Sequence, residues 1–304
     1  MIKKEQLTKD HLEKAYNSFY SYRTNGVDYN HRYSSWDLCY KYFSEFFEKT
    51  EPTESDIKLA GLHLGFYLAS WGMFRNSDLL NYGIKKYELL AKELYRLNKI
   101  DAEKAEAFKA KYDGLKLFLT RLIVDGIKEN IKEINSLLNH FNVQNNLSAL
   151  LEGIDILEIT KECSSLRKDL DKYLKYNPDE KLQLGAKKLR KELVTTPRLT
   201  LITKIMLGVY ANTPAIDRLF QKASKEYCKI RFYDADSAEV VLNKIKNILK
   251  FEINNDPEIL IEGFIATKHK QLDKTVTEEK ILDAVFFQLG KELQDNSKNN
   301  FSTT

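Results

Sequence analysis

Residues that break or bend a chain are scarce in this sequence. Its 304 residues include 12 Gly, 5 Pro and 3 Cys, whereas average proteins contain about 7% Gly and 5% Pro. This scarcity excludes an all-β protein, because many short strands need frequent turns. The cysteines Cys39, Cys163 and Cys228 are odd in number and far apart, which argues against a disulfide scaffold and for a reducing compartment.

Signals for export and membrane insertion are lacking as well. No apolar stretch follows Lys3 and Lys4, so the N-terminus does not resemble a signal peptide. The longest nearly uncharged apolar run, residues 61–74, is shorter than the ~20 residues that span a bilayer. We therefore expect a cytoplasmic protein that makes no membrane contact.

Helix-start patterns recur along the chain and are followed by apolar residues at helical spacing. They predict an all-α protein, either one large multi-helix body or two packed helical halves. One helix is expected to end near Ser70 and another near Lys250. The start patterns are Thr53 with Asp56, Asp236 with Glu239, Thr213 before Pro214, Asp256 before Pro257, and Thr277 before Glu278.

A polar stretch at residues 142–146 predicts a break in the domain organisation. An N-terminal helical half would then cover residues 1–142, and a C-terminal half residues 147–293. Residues 294–304 are polar and are expected to fray.

Positive charge is concentrated in one segment. The net charge is +4, but residues 181–231 contain 12 Lys or Arg against 3 acids. Such a segment is typical of a protein that contacts nucleic-acid phosphates, although a solvated lysine-rich surface is the alternative. The side chains predicted to contact the DNA backbone are Lys187, Lys188, Arg190, Arg198, Lys204 and Arg218.

Two stretches combine aromatic and charged residues. His31, Arg32 and Tyr33 precede a helix that carries Trp36, a position from which side chains can converge on a pocket or a phosphate. The alternative is an aromatic core stripe with a solvated arginine. The second stretch, residues 62–77, includes the end of a predicted helix that is so apolar on all sides that we expect it to be central.

The end of this apolar helix could also contribute to a site. Gly72 is expected to terminate the helix, so that Arg75 and Asn76 emerge beside Trp71. An arginine buried near a tryptophan is costly unless it is paired or bound to a ligand.

A third stretch, residues 196–220, predicts an apolar helix ending near Tyr210, a turn, and a second helix opening at Pro214. Asp217 would then lie in the first turn of the second helix, where the helix dipole favours a carboxylate. This stretch resembles the second half of the helix-hairpin-helix core of DNA glycosylases. Pro197, Thr203, Leu207, Pro214 and Asp217 stand in an order compatible with that core.

The resemblance implies that Asp217 is a catalytic carboxylate. In the family this group stabilises positive charge on the sugar as the base departs, or orients the attacking water. Arg198 and Thr200 replace the hairpin glycines, and Ile202 stands at the place of the Schiff-base lysine. The resemblance, which covers about 25 residues, therefore implies a monofunctional enzyme without the usual lyase chemistry.

The three stretches together also resemble an uncharacterised bacterial family of all-helical proteins. The matching segments lie at residues 31–40, 68–75 and 214–220. This second resemblance brings no chemistry, but it implies that the three stretches meet in one site.

The leading hypothesis is a DNA-binding protein related to base-excision glycosylases, acting on modified or foreign bases in double-stranded DNA from which a base is extruded. A non-enzymatic helical interaction protein is the alternative. A helical RNase ranks last because this sequence contains no Arg-x4-6-His motif. No cofactor is expected, and the scattered histidines and cysteines do not predict a metal site. The side chains expected to line the base pocket are His31, Arg32, Tyr33, Trp36, Trp71, Arg75 and Asn76.

Overall fold

The structure is a computed structural model. It describes residues 7–23, 28, 30–73, 83–153, 155–176, 179–253, 256–272 and 276–301. Within these ranges the chain forms fourteen α-helices, one short 3-10 helix and a single two-stranded sheet. The predicted all-α, multi-helix fold is therefore confirmed.

The helices follow one another along the chain and are separated by one to thirteen residues. They are α1 (Lys9–Tyr20), α2 (Ser34–Glu48), α3 (Glu54–Ser70), α4 (Ile84–Asn98), α5 (Lys104–Glu129), α6 (Ile131–His140), α7 (Leu147–Gly153), α8 (Ile156–Tyr176), α9 (Glu180–Glu192), α10 (Leu199–Tyr210), α11 (Arg218–Tyr227), α12 (Ala238–Leu249), α13 (Ile261–Gln271) and α14 (Glu278–Phe301). The 3-10 helix is Ser21–Arg23, and the antiparallel strands are β1 (Glu252–Ile253) and β2 (Asp256–Leu260).

The chain divides into two compact units. The first comprises Met1–Asp113 and Arg198–Thr304, and the second comprises Gly114–Pro197. This division differs from the predicted one at residues 142–146. That polar stretch is a short turn within the second unit, because apolar residues before and after it, such as Leu138 and Leu147, share one core.

The first unit is built around α10 and α14. Nine of the twelve residues of α10 are buried, and α10 packs against α2 and α3. The first half of α14 is largely buried as well, and α14 packs against α1, α11 and α13. Helix α3 was expected to be central; it packs against α2, α4 and α10, but its outer face is open, since Leu62 and Phe66 are 49% and 57% exposed.

The second unit has a smaller core of its own. Helix α8 packs against α7 and α9, and α9 also packs against α6. The aliphatic residues of these helices enclose Phe141 and the thiol of Cys163. Burial raises the pKa of that thiol to about 12, so it remains protonated near neutral pH.

Several of the predicted helix starts are confirmed. The Thr53 hydroxyl accepts a hydrogen bond from the backbone N–H of Asp56, and the Thr277 hydroxyl accepts one from the N–H of Lys280. Gly72, at φ 73°, follows the end of α3 as expected. Helix α12 also forms, but its cap is Ser237, one residue after the predicted Asp236.

Two predicted starts were wrong. Asp256 begins strand β2, and α13 starts at Ile261. The residues from Pro214 to Asp217 are not helical, and α11 starts at Arg218. Side chains of the core bind the backbone N–H groups in that loop, which therefore need no helical partner.

The polar C-terminal segment also differs from its prediction. Residues 294–301 continue α14 and contact α11. The guanidinium of Arg218 donates to the Gln294 side chain over 2.9 Å, and the ammonium of Lys222 donates to the Ser297 hydroxyl over 3.5 Å. The described part of the segment therefore forms the last two turns of α14, which contact α11.

The close approach of α14 to α11 requires a glycine. A Cβ atom added to Gly290 would lie 2.1 Å from the carbonyl oxygen of Leu219, whereas one added to Gly263, on the exposed side of α13, would meet nothing within 4 Å. We predict that Gly290→Ala lowers the free energy of unfolding by about 1–3 kcal/mol. The control Gly263→Ala should raise it by up to about 1 kcal/mol. Equal effects of the two substitutions in chemical denaturation would contradict this packing.

Candidate functional site

Three aromatic rings of the first unit lie nearly parallel. The ring of Tyr33 is stacked on Phe19, with centroids 4.4 Å apart, and on Trp71, with centroids 5.5 Å apart. The ring of Phe287 stands at a steep angle to all three. Phe19 is buried, but Tyr33, Trp71 and Phe287 remain partly exposed, so one side of this aromatic cluster reaches the surface.

The cluster carries an arginine on its exposed side. The guanidinium carbon of Arg32 lies 5.4 Å from the ring centre of Trp71 and 5.9 Å from that of Tyr33. His31 is stacked on Tyr22, which hydrogen-bonds to Asp37. The structure thus brings Tyr33, Trp71, Arg32 and His31 together, as the sequence predicted for part of the pocket.

A buried lysine joins Trp71 to Asp217. Lys204 of α10 is 4% exposed, and its ammonium lies 3.4 Å from Oδ2 of Asp217. The same ammonium donates to the carbonyl oxygen of Trp71 over 3.3 Å and lies 5.5 Å from the Trp71 ring centre. Lys204 therefore holds the carboxylate of Asp217 close to the aromatic cluster.

Asp217 also caps α11. Its Oδ1 accepts hydrogen bonds from the N–H groups of Leu219 and Phe220, while Oδ2 faces Lys204. A carboxylate at this position is stabilised by the positive end of the helix dipole. The side chain of Asp217 is 16% exposed, so it is less deeply buried than that of Lys204.

The loop that carries Asp217 is fixed by the core. Asp283 of α14 accepts a hydrogen bond from the N–H of Ala215, and the Thr203 hydroxyl accepts one from the N–H of Ile216. Asp283 is itself paired with Lys280 over 2.9 Å. Burial raises the pKa of the Asp283 carboxyl, and the neighbouring Lys280 ammonium opposes that rise.

Lys280 connects this second ion pair to the aromatic cluster. Its ammonium lies 4.9 Å from the ring centre of Phe19, 5.3 Å from that of Trp36 and 5.2 Å from that of Trp71. Two buried lysines, each with its own aspartate, therefore border the Trp71 ring. The indole N–H of Trp71 is buried and has no acceptor among the described residues.

The other predicted pocket residues occupy different positions. Trp36 is 1% exposed, and its indole N–H donates to the carbonyl of Leu207 over 2.9 Å. It is therefore a core residue beneath the cluster, because its ring is enclosed by α10 and Lys280. Arg75 and Asn76 lie outside the described residues.

The predicted DNA-backbone residues are divided between the two units. Lys187, Lys188 and Arg190 belong to α9 of the second unit, and two of them are paired: Lys188 with Glu133 and Glu192, and Arg190 with Asp171. In the first unit, Arg198 and Arg218 are exposed. Lys204 is buried with Asp217, so its assignment as a phosphate contact was wrong.

Sequence reasoning missed four members of this arrangement, which are Phe19, Phe287, Lys280 and Asp283. Lys280 and Asp283 stand three positions apart on α14, and this spacing looks like an ordinary surface pair in the sequence. The burial of Lys204 could have been predicted from the sequence, because Lys204 is the one charged residue of the otherwise apolar α10.

Comparison with protein-family models, with curated proteins and with solved structures gives no match. Within the described ranges, no helix is long and apolar enough to cross a membrane. Among the same residues, no three His, Cys, Asp or Glu side chains are grouped as a metal ion would require.

The buried Lys280–Asp283 pair should be costly to break. We predict that Lys280→Met lowers the free energy of unfolding by about 3–5 kcal/mol near pH 7, because it leaves a buried carboxylate unpaired. Lys280→Met combined with Asp283→Asn should recover most of this loss, since the amide oxygen can still accept from Ala215.

The pH dependence of the single variant has a definite sign. Without Lys280 the pKa of Asp283 in the folded state should rise further above its value in the unfolded state. Between these two pKa values the folded state keeps a proton that the unfolded state has released, so the variant loses stability as the pH rises. The deficit of Lys280→Met should therefore shrink as the pH is lowered from 7 to 4. Denaturant unfolding of the parent and the variant at both pH values measures this deficit. A deficit that does not change with pH would contradict the claim that Lys280 compensates the charge of Asp283.

Proposed function

We propose that the protein binds DNA and excises a base, with an extruded base resting on the exposed side of Tyr33 and Trp71 and Asp217 acting at the glycosidic bond. The observation that carries the proposal is the position of Lys204, whose ammonium contacts both the Asp217 carboxylate and the carbonyl of Trp71. A carboxylate and an aromatic surface are thus held side by side, which is what removal of an extruded base requires.

The surroundings of the aromatic cluster suit a flat heteroaromatic ligand. Stacking on Tyr33 and Trp71 would replace the stacking that the base loses when it leaves the duplex. Such stacking contributes about 1–3 kcal/mol of binding free energy per base. Arg32 lies above the same rings and can cover the base or contact its phosphate. The unsatisfied indole N–H of Trp71 would gain an acceptor if the base or a water molecule reached it.

Asp217 would act through its charge. In the proposed reaction the bond between the sugar and the base breaks, the departing base takes the electron pair, and positive charge develops on the sugar. The Oδ2 atom of Asp217 would stabilise that charge or orient the water whose oxygen adds to the sugar, and the proton released by the water would pass to the departing base. Lys204 fixes the carboxylate in place, and the proposed reaction uses no cofactor.

A second candidate function is DNA binding without base release. Both oxygens of Asp217 already have structural partners, since Oδ1 caps α11 and Oδ2 faces Lys204. A helix cap paired with a buried lysine is a sufficient structural role. The two candidates differ in what happens when only the charge of Asp217 is removed.

We predict that Asp217→Asn lowers the rate of abasic-site formation by a factor of about 10²–10³, because one electrostatic contact in the transition state is lost. The assay uses duplex DNA carrying modified bases, prepared from phage or cells. Asp179→Asn is the matched control, since Asp179 caps α9 in the same way and lies in the second unit. This control should retain the parent rate.

Loss of stability must be separated from loss of chemistry. Asp217→Asn leaves the Lys204 ammonium buried without its carboxylate, so we add the double variant Asp217→Asn with Lys204→Met, which removes both charges. A stable double variant that remains inactive supports catalysis by the charged pair. An Asn variant as active as the parent would rule out the catalytic role of Asp217.

Trp71 provides an optical test of base binding. The sequence has two tryptophans, and Trp36 is buried with its N–H satisfied. We predict that adding a duplex with a mismatched base quenches the fluorescence of the parent and leaves that of Trp71→Phe unchanged, because stacking affects Trp71 alone. Equal quenching in both proteins would show that the base does not reach this ring.

A further inference from the structure

A row of basic side chains lies on one face of α11. Arg218, Lys222 and Lys225 are four and three positions apart, so they share one side of the helix. Arg218 and Lys225 are exposed, and Lys222 is half-buried. We call these three residues the α11 basic face. Its charge continues beyond the helix with Lys229 and Arg231, which are both exposed.

These charges are not neutralised by the residues that the structure describes. Arg218 and Lys222 bond to the uncharged side chains of Gln294 and Ser297 on α14. In the described part of the chain, no carboxylate forms an ion pair with any residue of the α11 basic face. On α9, in contrast, Lys188 and Arg190 are paired with acids of their own unit. Unpaired cations are the ones available to a polyanion.

The α11 basic face begins next to Asp217. Arg218 follows Asp217 directly in the chain, and the helix rises 1.5 Å per residue, so Lys225 lies about 10 Å further along the axis. Along one strand of duplex DNA a phosphate recurs every roughly 3.4 Å of the axis, so a row about 10 Å long can contact about three successive phosphates of that strand. A strand lying along α11 would therefore pass close to the Asp217 carboxylate.

We propose that the α11 basic face binds the phosphates that flank the nucleotide whose base reaches Tyr33 and Trp71. This inference rests on the proposed function and assigns the DNA contact to α11 instead of the α9 residues. A membrane surface fits less well, because a membrane-binding helix needs an exposed apolar face. The apolar face of α11, with Phe220, Ala223 and Tyr227, is buried.

The test compares two triple substitutions in the full chain. One is Arg218→Gln, Lys222→Gln and Lys225→Gln, and the matched control is Lys187→Gln, Lys188→Gln and Arg190→Gln on α9. Glutamine removes the charge and is a good helix former. Fluorescence anisotropy with a labelled duplex, at salt concentrations from 50 to 200 mM, gives the slope of log K against log salt.

Each lost phosphate contact should reduce the magnitude of that slope by about 0.9, so the α11 variant should lose about 2.7 and the control nothing. An unchanged slope in the α11 variant, or a loss confined to the α9 variant, overturns the inference while leaving the Asp217 experiments to decide the proposed function. A parent that binds no duplex overturns both. Binding to phosphatidylserine vesicles that depends on α11, without binding to DNA, would also overturn the inference.

Discussion

Burial of the Lys204 ammonium is the constraint on which the candidate site depends. A charge with 4% exposure must be compensated where it lies, since an unpaired buried ion costs several kcal/mol. Lys204 meets this requirement with the carboxylate of Asp217 and the carbonyl of Trp71. The lysine thereby determines that the end of α3 and the start of α11, far apart in sequence, lie next to each other.

A second buried ion pair, from α14, repeats this arrangement beside the same Trp71 ring. Lys280 and Asp283 of α14 hold the loop before α11 through the N–H of Ala215, and Lys280 borders the aromatic rings. Replacing such pairs by apolar residues is often neutral or stabilising. Their presence around Trp71 is therefore better explained by positioning of Asp217 than by stability alone.

The fold was more predictable from the sequence than the site. Capping patterns and helical spacing are local, so α3 and α14 could be located from Thr53 and Thr277. The turn before Asp217 was misassigned because its N–H groups are bound by Thr203 and Asp283, which are distant partners that no local pattern reveals. Local periodicity likewise could not show that α3 leaves Phe66 exposed, since that depends on which helices cover it.

The same limit explains the site. Tyr33, Trp71 and Asp217 were recognisable as unusual residue types in short motifs. Lys280 was not, because a lysine near the start of a helix is ordinarily solvated, and only the packing of α1, α2 and α14 encloses it. Which motif residues meet depends on how buried charges are paired with groups distant in sequence. These pairs form only when the core is assembled, so no local pattern predicts them.

The measurement that tests the central claim most directly is photo-crosslinking of the full chain to a duplex that carries a single 5-iodouracil at a mismatched position, with the linked peptide identified by mass spectrometry. If an extruded base rests on the aromatic cluster, the crosslink should fall on Tyr33 or Trp71 and should disappear in the Trp71→Leu, Tyr33→Leu variant. Crosslinks confined to α9, or unaffected by that double substitution, would contradict the assignment of this site.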